Sequence, residues 1–179
     1  IYFLQKLLTQ PEIPFKLYGS MAFTMDYPNI FDQRDAKTGH GIWLHAVPDN
    51  VPLTRGSRGC VVVRNSVIKD LKKIVKLEQT PILIFDSVEY LSSEKYQSQR
   101  KTFLTEFENW RKAWEAEDVD TYIKYYADNF RNDEMNYKQW YNHKKKLKGL
   151  YSFIKVQLSE PLILVNKDMV VIRTLQRYQ

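Results

Sequence analysis

Cysteine is the residue this chain has least of: one in 179, at Cys60. A single thiol excludes an intrachain disulfide framework, so Cys60 is either a small apolar filler or a reagent. No stretch reaches the 18 or more apolar residues of a membrane-spanning helix, so no stable membrane insertion is expected. The three histidines, His40, His45 and His143, are dispersed and share one cysteine among them. That gives no metal-ligand spacing, and neither a metal nor another cofactor is expected. The opening residues IYFLQKLLTQ lack the charged start, apolar run and small-residue cleavage site of a secretory leader, and they lack Met. The chain therefore reads as the body of a longer protein.

What is present is a globular composition, 44% hydrophobic, with a net charge of +6 and an isoelectric point near 9.2. Such a charge favours partners that carry carboxylates or phosphates. No DNA- or RNA-binding motif accompanies it, so no nucleic-acid partner is expected. A basic, tyrosine-rich binding module without catalysis is the competing class.

The first half reads as short strands broken by turns. SMAFTM (Ser20 to Met25), GIWLHAV (Gly41 to Val47) and PILIF (Pro81 to Phe85) have strand composition. Between the last two, Ser66 can cap a helix whose Val67, Leu71, Ile74 and Val75 share a face. From Ser92 the texture becomes charged, aromatic and helical. Phe103, Phe107, Trp110 and Trp114 recur at helical spacing, and DVDTYIKYYADNF repeats the pattern with Tyr122, Tyr126 and Phe130. A third helix carries Tyr137, Trp140, Tyr141, Lys144 and Leu147 and stops at Gly149. The period then falls to two at Ile154, Val156 and Leu158, and LILV-NKD-MVVIRTLQRY predicts a hairpin turning at Asn166 to Asp168. The fold class is α+β, with domains over residues 1–92 and 93–179.

Cys60 follows Gly59 at the end of a loop rich in Gly, Ser and Arg, LTRGSRGCVVVRNS, and opens an apolar run rather than sitting inside one. That is where a side chain reaches a cleft. Cationic neighbours favour a thiolate, and Arg55 and Arg58 supply the charge. The Gly59 and Cys60 N–H groups offer donors for an oxyanion. Among the histidines, His45 is the best-placed base, since a turn-rich segment can return the chain alongside its strand. The bland alternatives are a buried thiol and a satisfied strand histidine.

The segment GHGIWLHAVPDN…SRGCVVVRNSVIKDL resembles the catalytic signature of the L,D-transpeptidase (YkuD-like) family, a G-[VI]-[WY]-[IL]-H strand followed by [ST]-x-G-C-[VI]. YGSMAFTMDYPN resembles the same family's two-domain Gram-negative members, and FENWRKAWEAEDVDTYIKYYADNFRN resembles their appended NTF2-like domain, an α+β cone. The similarity is greatest to L,D-carboxypeptidases that trim peptidoglycan stem peptides in helical bacteria. It implies Cys60 as nucleophile, His45 as its base and Gly59 at the oxyanion hole. It implies a periplasmic enzyme with stem peptides as partners, and it places an N-terminal part of the first domain and a last strand of the second outside this chain. Arg58 stands where the family often has histidine, suiting it to a substrate carboxylate or to a nearby acid. Ser57, Arg55 and Trp43 complete the substrate side, Trp43 by sharing the strand face of His45. Ala46 lacks the hydroxyl that other members place after the histidine, so the imidazole must be oriented by backbone. In the second domain Tyr122, Tyr126, Trp140 and Tyr141 are the candidates for lining a pocket, whose role ranges from holding glycan or peptide to pairing two copies as a homodimer. HKKKLKG reads as a solvated helix end, with an anionic-polymer site as the second choice.

Overall fold

The computed structural model describes residues 1–54, 56–132, 134–166 and 169–179. They form two compact units, Ile1–Val88 and Glu89–Gln179. No helix among the described residues is long and apolar enough to cross a membrane.

The first unit is a five-stranded sheet with three helices. In chain order the elements are β1 (Tyr2–Thr9), α1 (Phe15–Tyr18), β2 (Met21–Met25), α2 (Ile30–Arg34), β3 (Trp43–Val47), β4 (Val61–Arg64), α3 (Asn65–Ile74) and β5 (Pro81–Ile82). The sheet order is β4-β3-β2-β1-β5, antiparallel except for the parallel pair β3 and β4. Period two sends Met21, Phe23 and Met25 of β2 and Leu44 and Ala46 of β3 into one core, closed by Leu4 and Ile68.

β1 has Leu4 and Leu7 in that core although they are three residues apart. The register shifts between Leu4 and Leu7, and a β-bulge there absorbs the extra residue. α3 begins at Asn65 rather than after a Ser66 cap. Its core face is Ile68, Leu71 and Val75, whereas Val67 and Ile74 are exposed. The cause is the start of the helix: Asn65 Oδ1 accepts the Ser20 N–H at 2.8 Å, which fixes the rotation of the first turn. The strand expected over Pro81 to Phe85 is Pro81–Ile82, which pairs antiparallel with Phe3 and Tyr2 of β1.

The second unit comprises α4 (Ser93–Glu115), α5 (Val119–Tyr122), a 3-10 turn (Ile123–Tyr125), α6 (Tyr137–Leu147), β6 (Val156–Leu158), β7 (Leu162–Asn166), β8 (Met169–Arg173) and β9 (Gln176–Tyr178). Ser92 caps α4 by accepting the Lys95 N–H at 3.3 Å, and Asn136 and Gln139 form a reciprocal capping box on α6. Gly149, at φ 74°, lies just past the Lys148 C-cap of α6, the left-handed exit its position predicts. The expected second helix stops early: Tyr126 is extended, after a stretch whose β-branched and aromatic residues favour helix weakly. β7 and β8 pair antiparallel from Leu162 opposite Arg173 to Asn166 opposite Met169. Lys167 and Asp168 of the expected turn lie outside the described residues. β9 then pairs with β6. Arg111 ties α4 to β6: it binds Glu108 and Glu115 at 2.6 Å each and donates to the Val156 carbonyl at 3.2 Å. Glu115 in turn accepts the Val156 N–H at 2.7 Å.

Candidate active site

The parallel pairing of β3 with β4 lays the strand of His45 beside the segment that follows Cys60. His45 lies opposite Val62, and directly opposed residues project from the same face of a sheet. Cys60 is two residues before Val62, immediately ahead of β4, and the alternation of that strand continued back by one residue would put it on that face, alongside Trp43. A rise of about 3.3 Å per residue and a strand spacing of about 4.8 Å put the His45 and Cys60 Cα atoms roughly 8 Å apart. An imidazole and a thiol projecting from one face can meet across that gap.

His45 is 8% exposed, and its Nδ1 sits 2.7 Å from the Ala46 carbonyl oxygen. With Nδ1–H donating to that carbonyl, Nε2 carries the free lone pair. A backbone group thus supplies the orienting bond that Ala46 has no side chain to give. Cys60 is half-buried, and its thiol lies 3.6 Å from the Gly41 carbonyl, a donor contact at sulfur distance.

The loop before Cys60 is held by its own atoms. Ser57 Oγ donates to the Cys60 carbonyl at 2.6 Å and accepts the Gly59 N–H at 3.3 Å. Ser57 therefore shapes the loop rather than offering a free hydroxyl. The Gly59 N–H bond is long, so an oxyanion can compete for it. Gly59 has φ 110°, and a Cβ there would lie 2.5 Å from Ile42 Cδ1. Glycine is needed on both counts. Arg58 is exposed on the loop, while Arg55 lies outside the described residues. Arg64 donates to the Val51 carbonyl at 2.6 Å and to the Asp49 carbonyl at 3.3 Å, which anchors the start of the connection over residues 48–60.

Three neighbours were not foreseen. Tyr18, at the end of α1, stands edge-on to His45 at 5.1 Å and tilted to Trp43 at 5.0 Å. Gly19 and Asn65 hold it there, because a Cβ on Gly19 would meet Ala46 Cβ and Asn65 Oδ1 at 2.7 Å. Only the alternation of β3, which puts Trp43 and His45 on one face, hinted that an aromatic neighbour was needed. His40 is exposed, and His143 stacks on Trp140 at 5.7 Å in the other unit, so neither is placed as the base. Among the described residues no group of three or more His, Cys, Asp or Glu side chains converges to hold a metal.

The second unit has a small aromatic cleft of its own, open to solvent and lined by Trp114, Tyr122, Lys144, Tyr151, Ile154 and Tyr178 among others. Lys144 Nζ lies 4.5 Å from the Trp114 ring centre, 4.7 Å from Trp140 and 5.3 Å from Tyr122. Burial lowers the pKa of that amine and raises that of the Tyr122 phenol. Of the four residues expected to line a pocket, Tyr122 does. Tyr126 backs it, sharing a short hydroxyl contact with Tyr122 and accepting Trp110 Nε1–H at 3.3 Å, and Trp140 backs Lys144. Tyr141 is not among the lining residues and donates to Asp120 at 2.6 Å.

Residues 6–84 match the L,D-transpeptidase catalytic domain, YkuD, and residues 102–179 match the Cds6 C-terminal NTF2-like domain. The structure of Bdellovibrio bacteriovorus Bd1075 is 55% identical with a TM-score of 0.92, over 99% of this chain and 66% of that one. The helical cell shape determining protein Pgp2 from Campylobacter jejuni is 25% identical with a TM-score of 0.67, over 99% of this chain and 68% of its own. A lysine-to-alanine mutant of Pgp2 gives 28% identity and a TM-score of 0.74, over 99% of this chain and 62% of its own. The chain thus spans about two thirds of the length of these relatives. No curated protein matches it.

Proposed function

From the premise that residues 6–84 belong to the YkuD family of L,D-transpeptidase catalytic domains and residues 102–179 to the Cds6 C-terminal NTF2-like family, we propose that this chain is the body of a periplasmic cysteine L,D-carboxypeptidase. It trims tetrapeptide stems of peptidoglycan to tripeptides by releasing the terminal D-alanine, and so acts on cell shape. The first unit carries the catalysis. The observation that supports this reading most is the parallel pairing of β3 with β4, which sets His45 opposite Val62, two residues after Cys60, with Nδ1 of His45 held by the Ala46 carbonyl.

Nε2 of His45 takes the thiol proton of Cys60, and the thiolate adds to the carbonyl of the stem's third residue. The carbonyl oxygen becomes an oxyanion facing the Cys60 and Gly59 N–H groups. As the intermediate collapses, the C–N bond breaks and the imidazolium gives its proton to the departing D-alanine amine. Water then adds to the thioester with His45 accepting its proton, and the thiol leaves with a proton restored. Arg58, with Arg55, meets the substrate carboxylates, and Trp43 walls the site. If the amine of a second stem replaces water, the same thioester gives a cross-link and the enzyme is an L,D-transpeptidase. The aromatic cleft of the second unit, with its Lys144 amine, holds an anionic part of the same polymer.

Incubation with purified tetrapeptide and pentapeptide muropeptides, with products separated by mass, tests the reading. Tripeptide plus free D-alanine from tetrapeptide supports it, dimers indicate transpeptidation, and unchanged substrate indicates a binding module. A Cys60→Ala protein that still releases D-alanine would end it.

A further inference from the structure

We infer that Tyr18 is a positioning residue for His45, acting through its ring. The inference rests on the thiol–imidazole reading above. His45 has one described hydrogen bond, from Nδ1 to the Ala46 carbonyl at 2.7 Å. With Cγ held covalently, that bond restrains χ1 and χ2, and what remains is a rocking of the ring that moves Nε2, its far atom. A base must hold that nitrogen within hydrogen-bond reach of the proton it takes, about 2.6–3.2 Å. The Tyr18 ring packs against that rocking motion, centred 5.1 Å from the imidazole at an interplanar angle of 81°.

Tyr18 is itself held by more than its helix. α1 has four residues and no side-chain cap, too short to be rigid alone. Its exit is pinned instead. Gly19 turns at φ 60° directly against Ala46, Ser20 N–H donates to buried Asn65 at 2.8 Å, and Gln10 donates to the Gly19 carbonyl at 3.3 Å. Ala46 is both the residue Gly19 presses on and the residue whose carbonyl holds Nδ1. The two constraints on His45 therefore share one anchor, and the ring cannot drift relative to the carbonyl. Tyr18 also leans on Trp43 at 5.0 Å, so the same ring sets the aromatic wall beside the thiol.

The test uses the full chain with Tyr18→Leu, Tyr18→Met and Tyr18→Phe. The first readout needs no substrate: nitrogen-detected NMR of the His45 ring reports whether one Nδ1–H tautomer dominates. The parent and Tyr18→Phe are expected to show it, and Tyr18→Leu and Tyr18→Met are expected to show an averaged pattern. In D-alanine release, kcat should fall about tenfold or more in the Leu and Met variants with KM changing less, the acid limb of the pH profile should move, and Tyr18→Phe should recover most of the loss. Tyr18→Met offers a longer, more adaptable apolar chain without the ring, so a folding failure of Tyr18→Leu leaves the question answerable. An unaltered tautomer and unaltered kcat in Tyr18→Met would overturn the inference, and so would a Tyr18→Phe protein as impaired as Tyr18→Leu, which would move the role to the hydroxyl. If the parent releases no D-alanine, the carboxypeptidase reading fails while the NMR result still decides the place of Tyr18.

Discussion

Substituting alanine for Gly59 puts the geometry of the cysteine loop to a numerical test. The perturbation adds one methyl group at a residue with φ 110°, aimed 2.5 Å from Ile42 Cδ1. The backbone part costs about 1–3 kcal/mol, the usual penalty for holding a side chain in a sparsely populated conformation. The steric part is separable, because the blocking atom is the far end of a side chain. Ile42→Val deletes that methyl and relieves the clash without touching φ. Ile42 also follows Gly41, whose carbonyl lies 3.6 Å from the Cys60 thiol, so a displaced Ile42 disturbs that thiol as well. A shift of about 1 Å at a reacting centre costs on the order of 10²-fold in rate. The expected result is therefore a fall of about 10²-fold in kcat/KM for D-alanine release, with partial recovery in the Gly59→Ala, Ile42→Val double variant. If the folded state bears the strain instead of the loop relaxing, melting temperature falls by roughly 4–8 °C per kcal/mol in a unit of this size. Activity within threefold of the parent, or a double variant no better than the single, would refute the reasoning.

Three further outcomes follow from other contacts. Asn65→Ala leaves the Ser20 N–H without its 2.8 Å acceptor and should cost about 1–3 kcal/mol by chemical unfolding of the first unit. The Arg111 guanidinium holds Glu108 below the usual 4.5, and the Val156 N–H, with Arg111 second, does the same for Glu115. Depressed carboxylates contribute stability that is present above about pH 4.5 and lost as pH falls through their lower folded values, so Glu115→Gln should flatten the acid-side decline of the second unit in urea melts. Burial lowers the pKa of Lys144 below 10.5, which means its folded form sheds its proton first. Stability should then rise with pH across the window ending at 10.5, and Lys144→Met should remove that increment when the two proteins are compared at each pH.

The candidate pair was legible because its information is local: a strand carrying His45, a Gly-Cys step, and enough chain between them for a return. What set the pair's surroundings was not local. Tyr18 belongs to a four-residue helix with no periodicity to detect, and its position depends on Gly19, Ala46 and Asn65 meeting in space. β1 escaped notice because its bulge gives Leu4 and Leu7 the three-residue spacing of a helix rather than the alternation of a strand. On α3 the stripes Val67–Leu71–Ile74 and Ile68–Leu71–Val75 share Leu71, and tertiary anchoring at Asn65 chose between them. In the second unit the aromatic residues were legible and their grouping was only partly so. Tyr141 shares the periodic stripe of α6 but bonds Asp120, while Lys144, which reads as a charged helix end, reaches in among Trp114, Tyr122 and Trp140.

The central claim is that Cys60 forms a thioester with the stem peptide under the control of His45. Rapid acid quenching during turnover of tetrapeptide muropeptide, followed by intact-protein and peptide mass spectrometry, measures that directly. The account predicts a transient adduct with the mass of the acyl tripeptide stem on the peptide containing Cys60, absent from Cys60→Ala and slow to form in His45→Ala. D-alanine release with no adduct on Cys60, continuing in Cys60→Ala, would contradict it.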